Sequence, residues 1–114
     1  MHGHLRISDA LALLPGPKGE RFAEVFTHGT LTVEVYAPRR TDPQQPHSRD
    51  EVYVIASGTG RFLRGDQEAV FERGDVFFVP AGEPHRFVDF SQDFVSWVLF
   101  FGPEGGEEDL QAGK

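Results

Sequence analysis

Residues Pro43 to Gly60 read PQQPHSRDEVYVIASGTG, and in them His47 stands four positions ahead of Glu51, with the apolar run Val52-Tyr53-Val54-Ile55 directly after. Side chains alternate faces along a strand with period two, so an offset of four sends His47 and Glu51 to one side. Tyr53 and Ile55 continue that side. If it is the interior, an imidazole and a carboxylate are being carried inward, which is costly unless something pairs with them.

The same period of two runs outward from this stretch in both directions. GTLTVEVYAP alternates Leu31, Val33 and Val35 against Thr30, Thr32 and Glu34. RFAEVFTH before it reads as its partner, turned at His28-Gly29, and RFLRGDQEAVFERGD reads as a hairpin turned near Gly65-Asp66. DVFFVPAG, HRFVDF and DFVSWVLFF complete about eight short strands, the spacing of an all-β sandwich or barrel. A short helix over Asp9–Leu14, capped by Ser8 and stopped by Pro15-Gly16, precedes them. The chain divides into an N-terminal helix and arm (1–21), one β-domain (22–102) and a Gly-rich acidic tail (103–114).

Composition narrows the classes of function. With 114 residues the chain can bury one core, and eleven phenylalanines and 39% hydrophobic residues argue for a packed globule. A net charge of −7 argues against a nucleic-acid partner, which needs clustered Lys and Arg. No cysteine is present, so there is no disulfide, thiolate ligand or cysteine nucleophile, which fits the cytoplasm. Apolar runs such as Val98–Phe101 are far too short for a membrane span. Strands 52–55, 76–79 and 94–101 are apolar on both faces; a second subunit is the simplest cover, so a homodimer is expected. SGTGRF supplies only two glycines of a dinucleotide fingerprint and opens a strand, and no G-x-S-x-G is present.

The second informative segment is GDVFFVPAGEPHRFVD, Gly74 to Asp89, in which a turn glycine starts a strand, Pro80 and Gly82 break it, and His85 opens the next. Two imidazoles and a carboxylate, His47, His85 and Glu51, have the composition of a facial triad that holds a divalent metal and leaves positions open. The spacing resembles the two cupin motifs, G-x5-H-x-H-x3–4-E-x6-G and G-x5-P-x-G-x2-H-x3-N. His47-x3-Glu51-x6-Gly58 matches the later part of the first. Gly74-x5-Pro80-x-Gly82-x2-His85 matches the second, with Asp89 where the final Asn would be.

This resemblance spans roughly residues 22–101 and is to small, single-domain cupins of the conserved-barrel type. It implies a double-stranded β-helix (jelly-roll barrel) and metal ligation by His47, Glu51 and His85. Two positions depart from the pattern: Gln45 stands where the first histidine falls, and Arg39 where the leading glycine falls. Gln45 is then a weak fourth ligand or holds a bound water beside three ligands; Gln44 could take that role instead, or the site has lost its metal. The implied cofactor is a divalent ion among Fe, Mn, Ni, Co, Cu and Zn.

Tyr53, Phe78, Phe87 and Trp97 are candidate pocket-lining residues, with Phe100 beside them, although core filling suits each of them as well. His28 reads as a hairpin residue and His2 with His4 as a spare pair at the terminus; Arg61 and Arg64 share a face, usually solvated, with a substrate carboxylate as the less common use. The reading that follows is a metal-dependent, dioxygenase-like enzyme acting on a small oxygen-rich metabolite. The alternatives are a non-catalytic small-molecule-binding or sensing module, favoured by the absence of an obvious base beyond the ligands, and a cupin of the sugar isomerase or epimerase style.

Overall fold

The computed structural model describes residues 3–108; His2 and the end of the acidic tail, 109–114, lie outside them. A helix α1 (Ile7–Leu11) is followed by β1 (Phe22–His28), β2 (Leu31–Tyr36), β3 (Asp50–Ser57), β4 (Gly60–Arg64), β5 (Gln67–Phe71), β6 (Val76–Val79), β7 (His85–Val88) and β8 (Val95–Phe101). They form two antiparallel sheets, one in the order β1-β2-β8-β3-β6 and one in the order β5-β4-β7. The all-β jelly-roll expectation holds, with its short N-terminal helix.

Local chemistry accounts for most of the turns. Gly29-Thr30 links β1 to β2, and Gly65-Asp66 closes the β4–β5 hairpin with Gly65 at a φ of +59°. Gly58-Thr59 does something different: β3 and β4 do not pair, and this turn carries the chain from one sheet to the other. Gly58 has a φ of +91°, and a Cβ there would lie 2.5 Å from the Cα of Phe94, so no side chain fits. The helix starts earlier than its sequence suggests. Arg6, not Ser8, is at the N-cap, and no side chain caps it. Packing decides the boundary, because Leu5, Ile7 and Leu11 are drawn onto an apolar face of the large sheet.

That face is one of two cores. The inner one, between the sheets, is largely aromatic: Tyr36, Tyr53, Phe62, Phe71, Phe87 and Phe94 with Ile55, Val79 and Val98. By buried area each such aromatic contributes about 1.5–3 kcal/mol. The outer core is aliphatic, built from Val25, Val33, Val35, Ala37 and Val95 and covered by Ala10 and the leucines of the N-terminal arm. The second apolar face of β2 and β8 is thus covered from within the chain. The two edges of the sheet still show large apolar groups, Phe22 on β1 at 49% exposure and Val76 and Phe78 on β6 at 61% and 46%.

The outer core corrects two pocket-lining expectations. On β6, Phe77 packs with the inner core and Val79 is part of it, so alternation turns Phe78 outward. On β8, Val98 and Phe100 belong to the interior, which sends Trp97 to the outer core. Strands apolar on both faces leave that choice open until their neighbours are known.

Candidate metal centre

The barrel end of β3 assembles the site. Glu51 is the second residue of β3, paired with Val79 of β6 and Phe100 of β8, and its side chain is fully buried. His85 opens β7 on the facing sheet, opposite Arg64 of β4. His47 comes from the connection before β3. The Gly82 N–H donates to the His47 carbonyl at 2.7 Å, and the Ala81 N–H to Asp50 Oδ1 at 2.9 Å. The two motif segments are therefore stapled backbone to backbone. Asp50 also accepts the Glu107 N–H at 2.8 Å, so this buried carboxylate is structural.

One ligand atom from each of His47, Glu51 and His85 lies within 4.8 Å of the others. His85 Nε2 is 3.0 Å from Glu51 Oε1, and His47 Nε2 is 3.9 Å from Glu51 Oε2. Despite this closeness neither Glu51 oxygen has a hydrogen-bond partner, and both are buried. A buried carboxylate without partners is strongly penalised. A divalent cation between the three side chains removes that penalty, and a proton shared with His85 removes part of it.

The surroundings orient the ligands. His85 Nδ1 lies 2.9 Å from the Glu83 carbonyl, to which its N–H donates, leaving Nε2 to take either a proton or an ion. Burial pushes the His85 imidazolium down, but Glu51 and the Glu83 carbonyl outweigh it and the net shift is upward. The Tyr53 hydroxyl lies 2.9 Å from His85 Nε2 and 2.8 Å from Gln44 Oε1. Burial, first, and then the charge of Glu51 hold the Tyr53 phenol well above its ordinary value, so it is a protonated donor. His47 stacks edge-on against Phe100, with centroids 4.9 Å apart.

Gln44, rather than Gln45, faces this cluster. Its Nε2 donates to Asp42 Oδ2 at 2.8 Å, which fixes the amide so that Oε1 points at Tyr53 and lies 3.3 Å from His47 Nε2. Gln45 is exposed on the rim of the cavity. Asp42 is itself buried, taking the Tyr36 hydroxyl on Oδ1 and the Phe87 N–H at 2.9 Å on Oδ2. Tyr53 and Phe87 lie in the interior beneath the site, whereas Phe78 and Trp97 do not approach it.

From His47 a cavity of about 770 Å³ extends along β1, β2 and β8, lined by Glu24, Glu34, Tyr36, Val98 and Phe100 and roofed by residues of the 38–49 connection. Glu34 sits on the inward face of β2. Val33 and Val35 belong to the outer core, so Thr32, Glu34 and Tyr36 look into the barrel. Burial, and then the charges of Glu24 and Glu51, raise the Glu34 carboxyl to about 7. A tyrosine sharing the Thr32–Glu34 stripe was the one signal in the sequence that this stripe faces inward. Asp42 and Asp50 left no periodic signal, because Asp42 sits in the connection and Asp50 at its junction with β3.

The cupin-domain family model matches residues 32–101, a span that includes both histidines, Glu51 and the turn glycines. The chain belongs to the cupin family. This cupin is 42% identical over 85 residues to an uncharacterised protein of Streptomyces coelicolor, covering 73% of this chain and 81% of that one. It is also 41% identical over 68 residues to acireductone dioxygenase 1 of Pectobacterium atrosepticum, covering 54% of this chain but only 39% of the enzyme's length. Among solved structures, a cupin-2 domain protein of Shewanella frigidimarina superposes with a TM-score of 0.66 at 14% identity, covering 86% of this chain and 94% of that one. The Asn position of the second motif is held by Asp89 at a φ of +51°, a left-handed conformation that Asn and Asp share as a tolerance.

Proposed function

We propose that this cupin is a metal-dependent, dioxygenase-like enzyme acting on a small oxygen-rich metabolite, with His47, Glu51 and His85 as the ligands of a divalent ion. The observation that carries the reading is the pair of unpartnered, buried Glu51 oxygens beside two imidazoles. An ion there, among Fe, Mn, Ni, Co, Cu and Zn, would supply Lewis acidity or oxygen activation. The remaining chemistry belongs to the chain. Gln44 Oε1, held by Asp42 and Tyr53, provides a fourth donor, an oxygen, or a rest for a bound water. Phe100 and Val98 exclude bulk water from one wall. Glu34 is a carboxyl that both holds and releases a proton near neutral pH.

The similarity to acireductone dioxygenase supports oxygen chemistry on an enediol-type substrate, which the cavity has room for. The non-catalytic binding reading loses its main support, since Glu34 is a base candidate in the cavity that is not among the ligands. Val76 and Phe78, exposed on β6 beside the partly buried Phe101, support a homodimer through that face. The absence of cysteine agrees with a cytoplasmic protein.

Elemental analysis of untagged, chelator-free protein beside His85→Ala is the deciding experiment. Near-stoichiometric metal that disappears in the variant is expected, followed by oxygen uptake with an acireductone-type enediol. Protein that takes up none of the candidate ions on reconstitution would remove the metalloenzyme reading.

A further inference from the structure

The cavity carries a feature that the metal does not use. Arg21, just ahead of β1, and Arg39, in the connection after β2, both line it. Arg21 is fixed in place: its Nε donates to the Ala37 carbonyl at 2.9 Å, and the Ala37 N–H returns to the Arg21 carbonyl at 2.9 Å. That anchor leaves the two terminal nitrogens of the guanidinium without a protein acceptor among the described residues. Arg39 sits before a tight turn in which the Thr41 N–H donates to the Arg39 carbonyl at 2.8 Å, with Arg40 at a φ of +70°. An i to i+2 bond around such a residue is the rarer, strained hand of γ-turn. Pro38, Arg39 and Thr41 face the cavity as a result.

Three other arginines show how the charge is satisfied; Arg49, which also lines the cavity, donates to the Gly102 and Thr30 carbonyls. Arg61 is paired with Glu68 and Asp89, and Arg64 with Glu83, so these two are already satisfied by protein carboxylates. Arg21 and Arg39 have no carboxylate within 4.0 Å among the described residues, although Glu20 and Glu24 line the same cavity. Partial burial and the neighbouring charge of Arg39 both push the Arg21 guanidinium down, as expected of like charges held together without an anion between them.

We infer that Arg21 and Arg39 form a two-guanidinium seat for an oxyanion, a carboxylate or phosphate, on the small molecule whose other end reaches His47, Glu51 and His85. This rests on the metal-site reading for the orientation of the molecule, but the seat itself exists without the ion. It makes the substrate class anionic and disfavours neutral diols and phenols. Guanidinium groups suit this role because their planar N–H pairs match the oxygens of carboxylate and phosphate.

The test is calorimetric titration of succinate and of inorganic phosphate, separately, into metal-free full-length protein. Wild type binds at least one of them. Arg21→Gln and Arg39→Gln each weaken that binding by about tenfold or more, and the double variant abolishes it. Arg61→Gln, which removes the same charge from an already paired arginine, leaves it unchanged. Because the titration uses metal-free protein, a failed metal site and a failed anion seat give different results. Binding of succinate alone assigns a carboxylate, and of phosphate alone a phosphoryl group. If neither binds wild type, if the double variant binds as well as wild type, or if Arg61→Gln weakens binding equally, the seat does not exist. Arg39 is exposed, so its substitution leaves the fold intact and keeps the test decisive even where Arg21→Gln loosens the start of β1.

Discussion

The two cores of this cupin share strands but not chemistry. The outer core, under the N-terminal helix, is aliphatic apart from Phe26 and Trp97 at its margin and, among the described residues, has no buried polar side chain in it. The inner core changes along its length. At the Phe71–Phe94 end it is a cluster of stacked rings, with Phe87 and Phe94 centroids 4.7 Å apart. At the other end the same interior holds Glu51, His85 and Asp42 away from water. Alternation along β2 and β8 feeds both. The lesson is that the most regular apolar stripe of a small barrel can mark its outside. The mixed stripe, with its costly polar groups, marks the working interior.

The comparison is broken most severely by emptying the aromatic end. Phe71→Ala is expected to cost about 3–5 kcal/mol in urea unfolding while leaving the metal stoichiometry of the folded protein unchanged. A loss of metal in that variant would mean that the two ends are one cooperative site. Next in size is Glu51→Gln, which keeps the shape and removes the charge. It is expected to lower metal affinity by about 100-fold, roughly 2.7 kcal/mol, with near-native circular dichroism. Retained affinity would show that the orphaned oxygens serve some other purpose.

The smallest effect sharpens the contrast between the faces of β2. The Glu34 carboxyl is raised to about 7, so the folded state holds its proton more tightly than the unfolded chain does. Its contribution to stability is complete below the ordinary carboxylate range and is lost as pH rises through about 7. Metal-free Glu34→Gln should therefore match wild type near pH 4 and exceed it by about 1–2 kcal/mol at pH 8, after allowing for solvent screening. Equal stabilities at both pH values would place Glu34 in water rather than in the barrel.

The sequence made the strands, the turn glycines and the candidate His47, Glu51 and His85 cluster legible because each is a short-range pattern. Gly58, Gly74 and Gly82 all take positive φ, as their places in the motifs imply. What stayed hidden is non-local. Asp42 acts on Phe87 across 45 residues, and Asp50 on Ala81 across 31. The alternation of β2 alone left its inward face open, because the helix that covers the other face comes from a separate segment of the chain. Gln44 was weighed only second to Gln45, because a connection broken by Pro43 and Pro46 has no period to read.

The staple between the Gly82 N–H and the His47 carbonyl has a thermodynamic corollary. An unfolded chain offers an ion only the neighbouring His47 and Glu51; His85 joins them after the two sheets have closed. An ion at the proposed site would therefore not template folding but capture a finished fold, and its binding energy would add to stability by mass action. The melting temperature should climb with the logarithm of free metal concentration, and a chelator should return it to a folded, lower-melting baseline.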